Sequence, residues 1–330
     1  MREFKIGEAE EGQKLMNYTK RLLPGAPEPF LYQMFRKKYI ELNGRKAAGK
    51  EILKTGDTVR YFFSGETWDK FSSKGGKKAA PETKTDPALL REFKKRILFE
   101  NDGVLILNKK AGWLSQSDGS PDISVNDLLL IYTEKLRANS TVKPSVSNRL
   151  DRNTSGIMLC GKTAAALKEL SELMRSRSLK KFYDCIVVGE RVPEGEIKGY
   201  LKKDQKKNTA EFRENPFAGA DEVGTVFKKK GRIEAKGIKL TLLEAELLTG
   251  KPHQIRSVLL YYKTPIIGDP KYFTDSSAEA SRALGLNRQL LHSSRILFPK
   301  LKGTLGSLSE KKFEAPLPED MLRLCKYRVS

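Results

Sequence analysis

The sequence predicts an α+β protein: a mostly antiparallel, mixed sheet with flanking helices, preceded by a small helix-helix-hairpin domain. Three observations carry this. Strand and helix patterns are mixed through the larger part of the chain without the strict βαβ alternation of a parallel sheet. Two helical patterns and a hairpin signal fill residues 1–65. Residues 66–92 are rich in Lys, Gly, Ser, Thr and Pro and lack apolar periodicity, as a solvated linker would. The expected division is therefore a module over 1–65, a flexible linker over 66–92 and a large domain over 93–330. A chain of 330 residues, 38% of them hydrophobic, has material for about two packed cores.

In the small module, Leu15, Tyr18, Leu22 and Leu23 fall at helical spacing before Pro24 and Gly25 close the segment. A second helix is expected from Pro27 to Lys38, with Phe30, Leu31 and Phe35 on one side. Then come Tyr39-Ile40-Glu41-Leu42, an Asn43-Gly44 pair suited to a tight turn, and a strand over Thr58 to Phe63. Arg36, Lys37 and Lys38 crowd the end of the second helix, where cations favour the dipole by roughly 0.3–1 kcal/mol. With Arg45 and Lys46 beside the turn, the five read instead as a face that tracks a phosphate backbone.

The large domain opens with two apolar strands over Arg96 to Lys109, around an Asn101-Asp102-Gly103 turn. Further strands are expected at Gly156 to Cys160, Phe182 to Val188, Ile238 to Leu248 and Ile296 to Phe298. Helices are expected at Ser124 to Ala138, Ala164 to Met174 and Pro252 to Tyr261. The stretch from Lys202 to Lys236 reads as hairpins and surface loops.

Charge narrows the function. The chain holds 62 Lys and Arg against 41 Asp and Glu, a formal +21. That excess points to a polyanion, nucleic acid first and an anionic membrane surface second. Residues 1–65 account for +5 and 66–92 for +1, so most of the excess lies in the large domain. No run approaches the roughly 18 apolar residues of a membrane span. Residues 1–14 lack the apolar core of a secretory signal, so a cytoplasmic protein is expected. Three cysteines without metal-ligand spacing and two histidines speak against a disulfide scaffold or a zinc cluster, and no metal or cofactor is expected.

Four segments could carry chemistry. Gly156 to Thr163 matches the phosphate-loop expression GxxxxGK[ST], but Ile157, Met158, Leu159 and Cys160 want burial in a strand, not a flexible loop around phosphate. Thr163 reads as the cap of the following helix. Just upstream, Asn148-Arg149-Leu150-Asp151-Arg152-Asn153-Thr154-Ser155-Gly156 puts a carboxylate between two arginines in a polar turn; alone, such residues are ordinary turn formers. A third segment, Thr249 to Arg256, sets His253, Gln254 and Arg256 in the first turns of a helix. The fourth is the strand Lys181 to Gly189, with Tyr183 and Cys185 on one face; a strand tyrosine is ordinarily packing.

In this order the segments resemble known families. Leu22-Leu23-Pro24, the Leu31 to Lys38 helix, Ile40 to Lys46 and Gly56 to Val59 resemble the αL RNA-binding domain. Asn108-Lys109 with Gly112, Arg149-Leu150-Asp151 with Thr154-Ser155-Gly156, Lys181-x-Tyr183, Thr249-Gly250 with His253 to Arg256, Gly268-Asp269 with Tyr272, and Leu291-His292 resemble the RluA-type pseudouridine synthases. Three residues depart from that pattern: Lys110 for its usual Pro, Asn148 for His and Lys251 for Arg. None is the nucleophile position.

The resemblance implies an isomerase that turns selected uridines of RNA into pseudouridine, with large-subunit ribosomal RNA as the expected partner, no cofactor, and a monomer. It implies Asp151 as the catalytic aspartate, Arg256 as its ion-pair partner and Tyr183 against the target base. The aspartate could attack the ribose, attack the base or remove a ribose proton, and the sequence leaves all three open. Ile255 would wall the base, Arg149 would fill the space left by a flipped nucleotide, and Lys181, His253 and Gln254 would contact RNA or support the site. A contrasting reading is a non-catalytic RNA-binding or ribosome-assembly factor with the same fold, against which Asp151, Tyr183 and Arg256 together argue.

Overall fold

The chain begins with a strand that its sequence pattern does not disclose. In the computed structural model, which describes residues 1–72, 86–134 and 141–329, the first elements are β1 (Arg2–Lys5), α1 (Leu15–Leu22), α2 (Glu28–Arg36), β2 (Ile40–Leu42), β3 (Arg45–Lys46) and β4 (Thr58–Tyr61). The expected hairpin is part of a four-stranded antiparallel sheet in the order β1-β4-β2-β3. Phe4 is the one apolar residue of β1, so no period announces it. Asn43 and Gly44 both take positive φ, 51° and 73°, as the two-residue turn between β2 and β3 requires. Lys38 adopts φ 63° just past α2, and the Tyr39 N–H bonds the Met34 carbonyl to close the helix. Leu15, Leu31, Phe35, Ile40 and Tyr61 form the core.

The expected linker over 66–92 is corrected at both ends. Residues 65–72 form α3 (Gly65–Ser72), whose Trp68 joins this core and stacks on Phe4 at 5.6 Å. Residues 87–95 form α4 (Pro87–Lys95), capped by the Asp86 carboxylate on the Ala88 N–H at 2.8 Å. Charged composition hid one aromatic anchor and one cap. Residues 73–85 lie outside the described residues.

The chain gathers into two units that do not follow the sequence boundaries. One comprises Met1–Leu105, Asn126–Ser147 and Leu159–Ser171, the other Ile106–Val125, Asn148–Met158 and Glu172–Ser330. The first unit adds β5 (Ile97–Glu100), part of β6 (Val104–Lys109), α5 (Val125–Tyr132), β7 (Ser145–Val146) and parts of β8 (Ser155–Gly161) and α6 (Ala164–Arg175) to the module. Within it the Glu10 carboxylate accepts the Thr141 N–H at 2.8 Å. The Asn101 side chain builds the turn before β6, accepting the Gly103 and Val104 N–H groups. The strand reading of Gly156 to Cys160 holds, since β8 is buried at every position; the Thr163 hydroxyl caps α6, and Lys162 pairs with Glu100 at 2.7 Å.

The second unit contains β9 (Lys180–Val188), β10 (Gly195–Asp204), β11 (Thr209–Arg213), β12 (Asp221–Ala235), β13 (Ile238–Leu247), α7 (Gln254–Tyr261), α8 (Asp275–Ala283), β14 (Leu291–Leu297), β15 (Lys312–Glu314), α9 (Glu319–Cys325) and β16 (Arg328–Val329). Its strands pair in the order β11-β10-β12-β13-β9-β14-β8, antiparallel except where β14 meets β8. The α+β, antiparallel-dominated class is what the structure has. The surface-loop expectation for Lys202 to Lys236 is corrected: β12 runs 15 residues, with Val223, Phe227 and Ile233 buried and a bulge between Lys229 and Gly231. A run of three lysines masked the alternation. Strand β14 likewise starts five residues earlier than expected because its polar His292, Ser293 and Ser294 are buried. Among the described residues, no helix is long and apolar enough to cross a membrane.

Candidate active site

Everything in this site belongs to the second unit. Asp151 lies in the turn that leads into β8, closed by the Thr154 N–H on the Asp151 carbonyl at 3.0 Å. The turn is clamped by neighbouring chain. Ser115 Oγ donates to the Leu150 carbonyl at 2.7 Å and accepts the Leu150 N–H at 3.0 Å, while the Gly112 N–H donates to the Arg152 carbonyl at 2.9 Å. Lys109, fully buried, donates to the carbonyls of Arg152 and Trp113 at 2.8 Å each and of Lys110 at 3.2 Å. Burial lowers its pKa to about 7 against the opposing pull of the Asp151 charge, and three carbonyls match the three protons of the ammonium. Gly156 explains itself by its surroundings: at φ 111°, a Cβ there would collide with the Ser293 carbonyl oxygen, so only glycine lets β8 lie against β14.

From the other side comes α7. Its N-cap, His253, takes φ 58°, an uncommon conformation for a residue with a side chain, and the helix begins at Gln254, two residues later than expected. Arg256 lies almost fully buried between two carboxylates. Its Nη1 reaches Asp151 Oδ2 at 2.8 Å, and Nε and Nη2 clasp Asp269 at 2.7 and 2.8 Å. Burial works against the charged guanidinium, but Asp269 first and then Asp151 more than offset it and hold its pKa above the ordinary value. Asp269 also accepts the Lys271 and Tyr272 N–H groups, and Gly268 before it, at φ 80°, packs on the Arg288 carbonyl where a Cβ would clash. The Tyr272 ring covers the guanidinium at 4.8 Å. Asp269 has no exposed side-chain surface, while Asp151 keeps 26%. One carboxylate is committed to the scaffold; the other is held by one hydrogen bond and open to a ligand.

Tyr183 on β9 is buried, and its hydroxyl is pushed up to about 12, by desolvation first and with the Asp151 charge acting the same way. It stays protonated at neutral pH. His253 presents Nε2 to Asp151 Oδ1 at 3.8 Å and Nδ1 to the Tyr272 hydroxyl at 2.8 Å. Ile255 is buried, Arg149 is exposed next to the turn, and Lys181 is half-buried near Gly250, its pKa lowered by burial and then by Arg177. Of the two expectations for Gln254, RNA contact or support of the site, its hydrogen bonds are those of a support. Its amide is spent inside the protein: Oε1 accepts from Thr249 Oγ1 and the Lys251 N–H, and Nε2 donates to the Gly224 carbonyl and Thr225 Oγ1. It fixes the turn before α7 to β12. Arg36, Lys37, Lys38, Arg45 and Lys46 are exposed in the other unit.

Asp269, Tyr272, Lys109 and Ser115 shape the site without having been assigned a role from sequence. A lysine closing the apolar run Val104 to Leu107, and a Gly-Asp pair directly after Pro265-Ile266-Ile267, were the available signals.

Comparison with known proteins accords with this arrangement. Residues 103–261 match the family model for RNA pseudouridylate synthases. The ribosomal large subunit pseudouridine synthase C of Haemophilus influenzae is 32% identical over 320 residues, covering 96% of this chain and 91% of that protein. An uncharacterised RNA pseudouridine synthase of Mycoplasma genitalium is 27% identical over 91% of this chain and 90% of its own length. The solved structure of human RNA pseudouridylate synthase domain containing 4 shares the fold, with a TM-score of 0.55 over 72% of this chain and 96% of that one at 21% identity. A relative 32% identical across nearly the whole chain settles the family: this chain belongs to the RluA-type RNA pseudouridine synthases.

Proposed function

We propose that the enzyme isomerises uridines of large-subunit ribosomal RNA with Asp151 as its catalytic carboxylate, Arg256 as the partner that aims it and Tyr183 against the target base. The observation that carries this is the 2.8 Å pair between Asp151 and a buried arginine whose other edge is already bound by Asp269. In the reaction the N1–C1′ bond breaks, the uracil turns, and a C5–C1′ bond forms. The proton leaves C5 and N1 gains one, so no atom or electron is supplied from outside. A single half-buried carboxylate on a fixed mount serves attack on the ribose or base, or removal of a ribose proton.

Ile255 forms the apolar side of the pocket, Arg149 enters the space left by the flipped uridine, and Lys181 holds nearby phosphate. Residues 1–65 act as an αL-type RNA-binding module through Arg36, Lys37, Lys38, Arg45 and Lys46, and the enzyme works as a cytoplasmic monomer. Support for the substrate comes from the relatives of Haemophilus influenzae and Pasteurella multocida, both named ribosomal large subunit pseudouridine synthase C.

The test uses bulk unmodified large-subunit RNA, with pseudouridines mapped by carbodiimide-stopped primer extension. Wild type should create new stops, and Asp151→Asn should lose turnover by roughly a thousandfold or more while still binding RNA. Stops that persist with the variant would exclude Asp151 as the catalytic group. Binding without stops from either protein would favour a ribosome-assembly factor.

A further inference from the structure

His253 does not behave as a simple RNA contact. The Ala210 N–H donates to the Tyr272 hydroxyl at 2.5 Å, and that hydroxyl lies 2.8 Å from His253 Nδ1. A phenol oxygen that already accepts one hydrogen bond has its own proton left to place, and Nδ1 is within reach of it. The other ring nitrogen, Nε2, stands 3.8 Å from Asp151 Oδ1, a separation that must close by several tenths of an ångström for a hydrogen bond to form, while Arg256 holds Oδ2.

We propose that His253 is a positioning residue: Tyr272 donates to its Nδ1, sets the ring as the Nε2–H tautomer, and so directs a neutral N–H at the free oxygen of Asp151. The inference rests on the role of Asp151 given above. A neutral donor orients the carboxylate without cancelling its charge, whereas an imidazolium would form an ion pair and blunt it. The groups facing the ring are Asp151, Asp269, Arg256, Lys271 and Tyr272. Burial first, then Arg256 and Lys271, lower the histidine pKa against the two carboxylates, which keeps the ring neutral near pH 7.

Two measurements test it on the full-length protein. The chain has two histidines, so long-range 15N–1H spectra of histidine-labelled protein hold two ring systems, and His253→Gln identifies one of them. His253 should show the Nε2–H pattern in wild type and lose its single tautomer in Tyr272→Phe. An Nδ1–H ring in wild type, or a pattern unmoved by Tyr272→Phe, would overturn the proposal whether or not the enzyme turns over.

The second measurement is tritium release from 5-tritiated uridine in large-subunit RNA across the imidazole titration range. His253→Ala should lower kcat by up to about a hundredfold with KM unchanged. His253→Gln, whose amide N–H can replace Nε2–H, should recover most of it, and Tyr272→Phe should move the acid limb of kcat to higher pH. An effect of His253→Ala on KM alone would make His253 an RNA contact and sink the positioning role. Loss of turnover in Asp151→Asn together with unchanged kcat in all three variants would refute this inference and leave the Asp151 assignment intact.

Discussion

Arg256 is buried between two carboxylates with a tyrosine ring across it, whereas Arg36, Lys37, Lys38, Arg45 and Lys46 stand exposed on the N-terminal sheet and the end of α2. The same residue types do opposite work. A buried guanidinium repays its desolvation only when each of its edges is matched, so its geometry is stiff and its loss expensive. Exposed cations contribute little to folding and retain the freedom to meet phosphate. In the proposed function the first arrangement serves the chemistry, since a reacting carboxylate must be aimed, and the second serves grip on RNA.

The sharpest way to break this contrast is to remove the carboxylate that does not face the ligand. Asp269→Asn leaves the guanidinium edge unneutralised in a dry site and, while its remaining oxygen can still accept the Lys271 and Tyr272 N–H groups, sets an NH2 donor against the Arg256 Nε–H. It should destabilise the fold by about 3–5 kcal/mol, as breaking a buried pair does. Denaturant unfolding measures that loss, and turnover should fall further than RNA affinity. A variant as stable as wild type would mean that Arg256 is not held by Asp269 and that Asp151 alone fixes it.

How far the sequence disclosed this site depends on how local each signal is. The pairing of Asp151 with Arg256 was legible because each lies in a short motif whose order along the chain is specific. The clasp of Asp269 on Arg256 was not, since nothing in a Gly-Asp-Pro turn states which cation it meets 13 residues away in sequence. Gln254 was open for the converse reason: its motif left RNA contact and support as alternatives, and only the tertiary structure shows both ends of its amide consumed by β12 and Thr249. In the fold, periodicity found the buried strands β6, β8 and β9. It failed at β1, where one Phe carries the apolar face, and at β12, where lysines flank the bulge. Helix α3 was lost to averaging over a charged window, although Trp68 anchors it.

Lys109 sharpens the comparison from within the buried class, because its ammonium donates its hydrogen bonds to carbonyl dipoles where Arg256 donates to carboxylates. Lys109→Met should cost about 2 kcal/mol by taking the Lys109 donor from the Trp113 carbonyl and one of two donors from the Arg152 and Lys110 carbonyls. The pH dependence has a definite sign. The ammonium pKa is about 7 when folded and about 10.4 when unfolded, so the unfolded chain binds more protons between those values. Wild-type stability should therefore rise from pH 7 towards 10, and that rise should be smaller in the variant. Parallel pH profiles would show that Lys109 titrates as an ordinary lysine.

The smallest effect belongs to the exposed cations, and it has to be separated from folding. Deleting residues 1–65 would not do this, since Trp68 packs into their core and Glu10 holds the Thr141 N–H. Replacing Arg36, Lys37 and Lys38 by Ala changes solvated side chains at the end of α2 and should lower stability only by the roughly 0.3–1 kcal/mol that cations contribute at a helix C-terminus. RNA affinity should weaken by roughly tenfold at low salt, and the slope of log affinity against log salt should fall by about 0.7–0.9 for each phosphate that the variant no longer neutralises. Turnover at saturating RNA should not change, because none of the three touches Asp151 or the groups that hold it. A drop in saturated turnover would mean that this face helps orient the target uridine, and the division between grip and aim would then run through both regions of the molecule.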